Sequence, residues 1–168
     1  MHHLLLKHAR NVITSRLKGL NWRDQWNGAA TRPSKGCFVS LKIGSRLRGC
    51  IGTLEPVRPS LEEEIASNAL AAATRDPRFS PVMLKEMETI AISIDILELP
   101  EPVDSPDALD PDRYGAVVRH GKRCGVLLPG LPGVVSVEKQ LKICLEKAEI
   151  EEGEPYSISR FTVTRLEE

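Results

Sequence analysis

The sequence predicts an α+β fold of two similar subdomains, each running strand, strand, helix, strand, with an N-terminal helix in front. Three observations predict it. Apolar residues alternate along paired stretches twice, at Cys37 to Leu54 and again at Tyr114 to Leu128. A serine-capped amphipathic stretch follows each pair, at Ser60 and at Ser136. Between the copies lies Leu99 to Pro111, a stretch rich in proline and acidic residues that reads as a boundary.

The N-terminal segment places Leu5, Leu6, Ala9, Val12, Ile13, Leu17 and Leu20 at spacings of three and four, which predicts a helix over about 4–20 with one buried face. Gly19 and the polar stretch Asn21 to Lys35 end it. Trp22 and Trp26 are expected to pin this connection to the body. Cys37, Val39, Leu41 and Ile43 then alternate with Phe38, Ser40 and Lys42 as a strand, Gly44-Ser45 makes the turn, and Arg46 to Leu54 returns. Pro56 and Pro59 stop the sheet. Ser60 with Glu63 forms a capping box, and Leu61, Ile65, Ala69, Leu70 and Ala73 supply the buried side of the helix it opens. The slim side chains from Asn68 to Ala73 permit close packing on a sheet. A short helix, Val82 to Glu88, and a strand with Ile90, Ile92, Ile94 and Ile96 on one face complete the first half.

The second half repeats this order. Two strands flank Gly121-Lys122, Ser136 caps a helix whose apolar face is Val137, Leu141, Cys144, Leu145 and Ala148, and Tyr156 to Leu166 closes as one strand. The halves run over about 36–98 and 113–166 of a single domain spanning 1–168, and an internal duplication is expected. Each second strand carries a cysteine beside a glycine, Gly49-Cys50 and Cys124-Gly125.

Apolar residues make up 41% of the chain and aromatics only 4%, so the core must be aliphatic. The 23 basic residues balance 23 acidic ones, which argues against nucleic acid and membrane surfaces as partners. No apolar run approaches the ~18 residues of a membrane-spanning helix. The leucines at positions 4–6 make too short a run for a signal peptide, and the chain is expected in the cytoplasm. Cys37, Cys50, Cys124 and Cys144 form no CxxC pair, so neither a zinc site nor a redox dithiol is expected, and they read as free thiols. No cofactor is indicated.

Two stretches carry candidate chemistry. In Leu47-Arg48-Gly49-Cys50-Ile51-Gly52, glycines bracket a cysteine; either they leave the sulfur open to a ligand or another backbone, or Cys50 is a small buried thiol and the glycines make room for the helix that Ser60 opens. Arg75-Asp76-Pro77-Arg78-Phe79 follows the alanine-rich helix, where arginines complement the helix dipole by about 0.3–1 kcal/mol. Their guanidinium forks also suit carboxylate and phosphate, with Asp76 placed to hold one of them. The helix must return beside the hairpin, which brings Arg75 or Arg78 near Cys50. A thiol beside arginines is a better nucleophile, but a general base is missing. His120 falls in the other half, leaving Asn68 and Glu55 as polar partners. The run Glu62-Glu63-Glu64 reads as a solvated first helical turn rather than a metal site.

The hexapeptide 47–52 resembles the signature of the AMMECR-type domain family, also called AmmeMemoRadiSam system protein A. Gly36-Cys37-Phe38-Val39, Glu55-Pro56, Arg58-Pro59-Ser60-Leu61, Asn68-Ala69, Arg75 to Phe79 and Pro81-Val82 continue the match, as do Gly121, Leu127-Leu128-Pro129 and Lys147-Ala148. The resemblance covers essentially the whole chain. It implies two subdomains around a shared cleft, and Memo-type and radical-SAM proteins as partners, without an assigned reaction. Two readings stay open. In one, the cleft residues Arg48, Gly49, Gly52, Asn68, Arg75, Asp76, Arg78 and Phe79 hold an anionic small molecule or a partner's peptide. In the other, Cys50 is the nucleophile of an enzyme.

Overall fold

The computed structural model describes residues 2–25 and 32–168. Trp26 lies outside the described residues. The chain opens with α1 (His2–Leu17), whose Leu5, Leu6, Ala9, Val12 and Ile13 are all buried, as the spacing predicts. Gly19 takes a positive φ of 72° and ends the run, so Leu20 falls past the helix and is exposed. Trp22 meets the buried His8 ring edge-on, with centroids 5.4 Å apart.

The first unit comprises residues 1–96 and 164–168. β1 (Cys37–Ile43) and β2 (Arg46–Thr53) form the expected hairpin, α2 (Leu61–Thr74) packs on it, and β3 (Ile90–Leu97) lies on the other side of β1. Ser60 Oγ accepts the Glu63 N–H at 3.3 Å, a cap worth about 1 kcal/mol. Ala66 joins Leu61, Ile65 and Ala69 on the buried side, while Leu70 is only half-buried. The short helix before β3 is a 3₁₀ turn, Leu84–Glu88. Val82 stays outside it, because its N–H is taken by the Ala73 carbonyl at 2.8 Å. The core joins α1, α2 and the inward isoleucines of β3, each fully buried side chain contributing about 1.5–3 kcal/mol.

The second unit, residues 97–163, repeats the plan with β5 (Gly115–His120), β6 (Arg123–Leu127), α3 (Val137–Ala148) and β7 (Ser157–Phe161). Ser136 caps α3 through the Lys139 N–H at 3.2 Å.

Two segments depart from the sequence reading. The stretch from Leu99 to Pro111 contains a strand, β4 (Glu101–Val103), at the edge of the sheet β4-β7-β5-β6. Pro102 is tolerated there because an edge strand need not donate on its outer side. The last strand breaks at Thr162, whose carbonyl accepts the Glu98 N–H at 2.9 Å. The remainder, β8 (Val163–Glu167), joins the first sheet in the order β2-β1-β3-β8. Both sheets therefore run hairpin, third strand, fourth strand, and each takes its fourth strand from the residues following the other's third.

Candidate functional site

All the sequence-predicted site residues lie in the first unit. β2 is the terminal strand of its sheet, and pairing with β1 sets Gly49 opposite Leu41 and Cys50 opposite Ser40. Gly49 faces α2. A β-carbon there would stand 2.2 Å from the Ala72 carbonyl oxygen, so only glycine lets the helix approach this closely. Gly125, opposite Val118 on β5, meets α3 in the same way, 1.8 Å from the Cys144 carbonyl oxygen. The glycines are the equivalent positions of the two halves. The cysteines are not, since Cys50 follows its glycine and Cys124 precedes it. Gly52 clears room for Phe38, whose ring would be 2.2 Å from an added β-carbon.

Alternation turns Cys50 away from α2. Its side chain is half-buried, and the Ser40 hydroxyl donates to Sγ at 3.2 Å. The backbone of Cys50 is held from the loop after α2. The buried Asp76 carboxylate accepts the Cys50 N–H at 2.9 Å and the Arg78 N–H at 3.1 Å. Arg78 donates through Nε to Oδ1 at 3.0 Å and through Nη2 to Oδ2 at 2.8 Å, and Nη2 also reaches the Cys50 carbonyl at 3.2 Å. Together, Asp76 and Arg78 occupy both backbone groups that Cys50 presents at the open edge, as a neighbouring strand would. The Arg78 guanidinium holds the Asp76 carboxyl well below the usual carboxylate range, against burial and with help from the Cys50 N–H. Arg78 remains 55% exposed and lies over the Phe79 ring, 5.4 Å from its centroid.

The other predicted residues divide by role. Arg48 grips Glu86 with Nε at 2.8 Å and Nη2 at 3.1 Å, and also donates to the Ser80 and Pro81 carbonyls. It thereby ties residues 80–86 to β2 and lowers the Glu86 pKa, and little of its donor capacity is left for a ligand. Asn68 is buried and points elsewhere, donating to the Cys37 carbonyl at 2.9 Å and to Thr53 Oγ1 at 3.1 Å. Arg75 is the C-cap residue of α2. Its backbone N–H bonds Ala71, and its exposed side chain has no partner among the described residues. His120 sits on β5 in the second unit, its ring against the Pro155 carbonyl.

The acidic run is not solvated as expected. Glu62 and Glu64 are buried, and only Glu63 faces outward, 3.9 Å from Arg23. Glu62 receives the N–H and guanidinium of Arg32. Glu64 accepts from Thr53 Oγ1 and from the N–H groups of Val57 at 2.8 Å and Arg58 at 2.7 Å, fixing the loop before α2. Among the described residues no three His, Cys, Asp or Glu side chains gather as a metal-binding group. Sequence reasoning missed Ser40 and Glu86. Strand alternation set Ser40 on the face of Cys50, whereas nothing local in sequence links Glu86 to Arg48.

Comparison with known proteins finds a family model described as AMMECR1 that matches residues 6–166. A protein of Thermotoga maritima is 51% identical over 132 residues, covering 77% of this chain and 76% of its own length. A Clostridium acetobutylicum protein is 49% identical over 134 residues, covering 80% of this chain, yet the match spans only 28% of that relative's length. Among solved structures, an uncharacterized protein from Pyrococcus horikoshii aligns with a TM-score of 0.81 at 28% identity, over 98% of this chain and 90% of that one.

Proposed function

The chain belongs to the AMMECR1 family, and from that premise we propose that it is a binding module that accepts an anionic group beside Cys50. The observation that carries this reading is the fixed orientation of Arg78. Asp76 takes Nε and Nη2, so the side chain is locked while more than half of its surface stays exposed over Phe79. A pre-organised guanidinium loses little freedom when it meets a carboxylate or phosphate. Arg75, three residues back along the chain and without a partner among the described residues, is the second cation in this reading.

Catalysis by Cys50 is the weaker reading. The sulfur accepts from a serine hydroxyl, and neither an imidazole nor a carboxylate is hydrogen-bonded to it among the described residues. A base hydrogen-bonded to the thiol is the commonest means of activating it, and Cys50 has none among the described residues.

The anion is carried by a small molecule or by a partner protein. The resemblance to AmmeMemoRadiSam system protein A makes a Memo-type protein, working with a radical-SAM protein, the partner to test. The long Clostridium relative, in which the matched region is about a quarter of the chain, supports a module that works beside other domains. Four free cysteines suit a reducing cytoplasm, and no helix among the described residues is long and apolar enough to cross a membrane.

The test is a titration with pyrophosphate followed through backbone amide NMR shifts. Saturable shifts at Cys50 and at Arg75 to Phe79, lost in Arg75→Ala with Arg78→Lys, support the reading. Shifts scattered over all basic residues contradict it.

A further inference from the structure

The second unit carries an open groove of about 570 Å³ between α3 and the turn that follows it, where Leu145 and Tyr156 offer part-exposed apolar surface while Leu141 and Ile150 behind them belong to the core. That volume falls within the ~300–1,000 Å³ of ordinary ligand pockets.

The groove is braced from behind. Glu149 adopts a left-handed conformation with φ 54°, and the Ile150 N–H closes on the Leu145 carbonyl at 3.0 Å, which folds Ile150 back beside α3. Arg123 then clamps the turn, donating to both oxygens of Glu154 at 3.0 and 2.6 Å and to the Glu149 carbonyl. Glu154 also accepts the Glu151 N–H at 2.7 Å, and Arg123 drives its pKa down to about 2.

Glu154 is thus consumed in the scaffold. Glu138 is likewise engaged, its carboxylate bonded at the Ser136 cap of α3. Glu138, Glu146, Glu151 and Glu152 edge the groove against a single lysine, Lys142. The carboxylates of Glu146 and Glu152 have no hydrogen-bond or ion-pair partner among the described residues, while Glu151 lies in the field of Arg123. The chain as a whole balances 23 basic and 23 acidic residues, so this excess is local.

We infer that this groove docks a basic segment of a partner protein, with an aliphatic side chain against Leu145 and Tyr156 and lysine or arginine on the carboxylate rim. Leu145 and Tyr156 supply a small apolar contact, and the rim supplies charge complementarity, which selects the partner and speeds its encounter. An acidic segment is repelled by the same four carboxylates. The groove shares no residue with the Cys50 loop, so neither proposal stands or falls with the other.

Selection of displayed dodecapeptides on the full chain tests this, with the Glu146→Lys, Glu152→Lys double variant as comparison. Both substitutions sit on exposed side chains, and an unchanged melting temperature verifies the fold. Enriched peptides should carry net positive charge around a leucine or isoleucine, bind the variant at least ~10-fold more weakly, and weaken as salt rises. Peptides without positive charge, equal recovery on the variant, self-association through this face in sedimentation, or no enrichment would each overturn the inference.

Discussion

The Asp76 carboxylate accepts the backbone N–H of Cys50 at 2.9 Å, joining a loop residue to the outer edge of β2. Through Arg78 the same loop also takes the Cys50 carbonyl. The segment Asp76 to Phe79 therefore behaves as a short surrogate strand. It closes an edge otherwise open to pairing, and it leaves the Cys50 thiol and one face of Arg78 available.

Asp76→Asn keeps an acceptor for Cys50 but removes the charge that holds Arg78. It should destabilise the protein by about 1–3 kcal/mol in urea unfolding, the range for disturbing a buried, charge-assisted bond. The Arg78 end of the pair is largely solvated, so the upper end of that range is not expected. Because the folded pKa of Asp76 is depressed, its contribution is complete above the ordinary value of about 3.9. It is lost as pH falls below that value. Stability of the Asn variant should therefore fall less steeply with acid below about pH 4 than that of the parent.

Gly49→Ala and Gly125→Ala should both be severely destabilising, by about 3 kcal/mol or more, because each added methyl collides with a helix carbonyl rather than with a movable side chain. Thermal melts would show it. The paired outcome matters, since it tests whether the two halves use glycine for one purpose.

His8 is buried, its Nε2 3.0 Å from the Glu62 carbonyl, and burial lowers its pKa despite the nearby Glu62 charge. A neutral buried imidazole contributes stability that is whole above about pH 6.5 and is lost as pH falls through the lower folded value. Parent and His8→Gln should differ in the slope of unfolding free energy below pH 6.5, by at most about 1.4 kcal/mol per pH unit. Parallel slopes would show that His8 has the same proton affinity in the folded and unfolded chain.

Alkylation at pH 8 should separate the thiols. Burial pushes Cys37 up to about 12 and Cys144 up to about 11, so neither should react until the protein unfolds. Cys50 and Cys124, each half-buried, should label in the folded state, as mass spectrometry would report.

Alternation and serine caps made the two halves legible, because both are local in sequence and are set by the same residues that form them. The exchange of fourth strands was not legible. Tyr156 to Leu166 has the apolar content of one strand, and its break at Thr162 depends on a bond to Glu98 far back in the chain. Glycines on β2 signalled a close approach, and at Gly49 the approaching group is the Ala72 carbonyl of the helix opened by Ser60, the element for which the sequence allowed room; Gly52 instead makes room for the Phe38 ring. Glu62 and Glu64 looked solvated because their partners, Arg32 and the loop at 57–58, lie outside the helix. Asp76 with Arg78 was foreseeable because the pair sits two residues apart. Arg48 with Glu86 was not.

Pyrophosphate affinity in Cys50→Ser, set beside Arg75→Ala, tests whether the loop beside Cys50 binds an anion through its arginines. The serine variant should keep the parental affinity, and loss of Arg75 should weaken binding at least ~10-fold, about 1.4 kcal/mol. Loss of binding in Cys50→Ser with Arg75→Ala unaffected would contradict binding through the arginines and return the thiol to the centre of the chemistry.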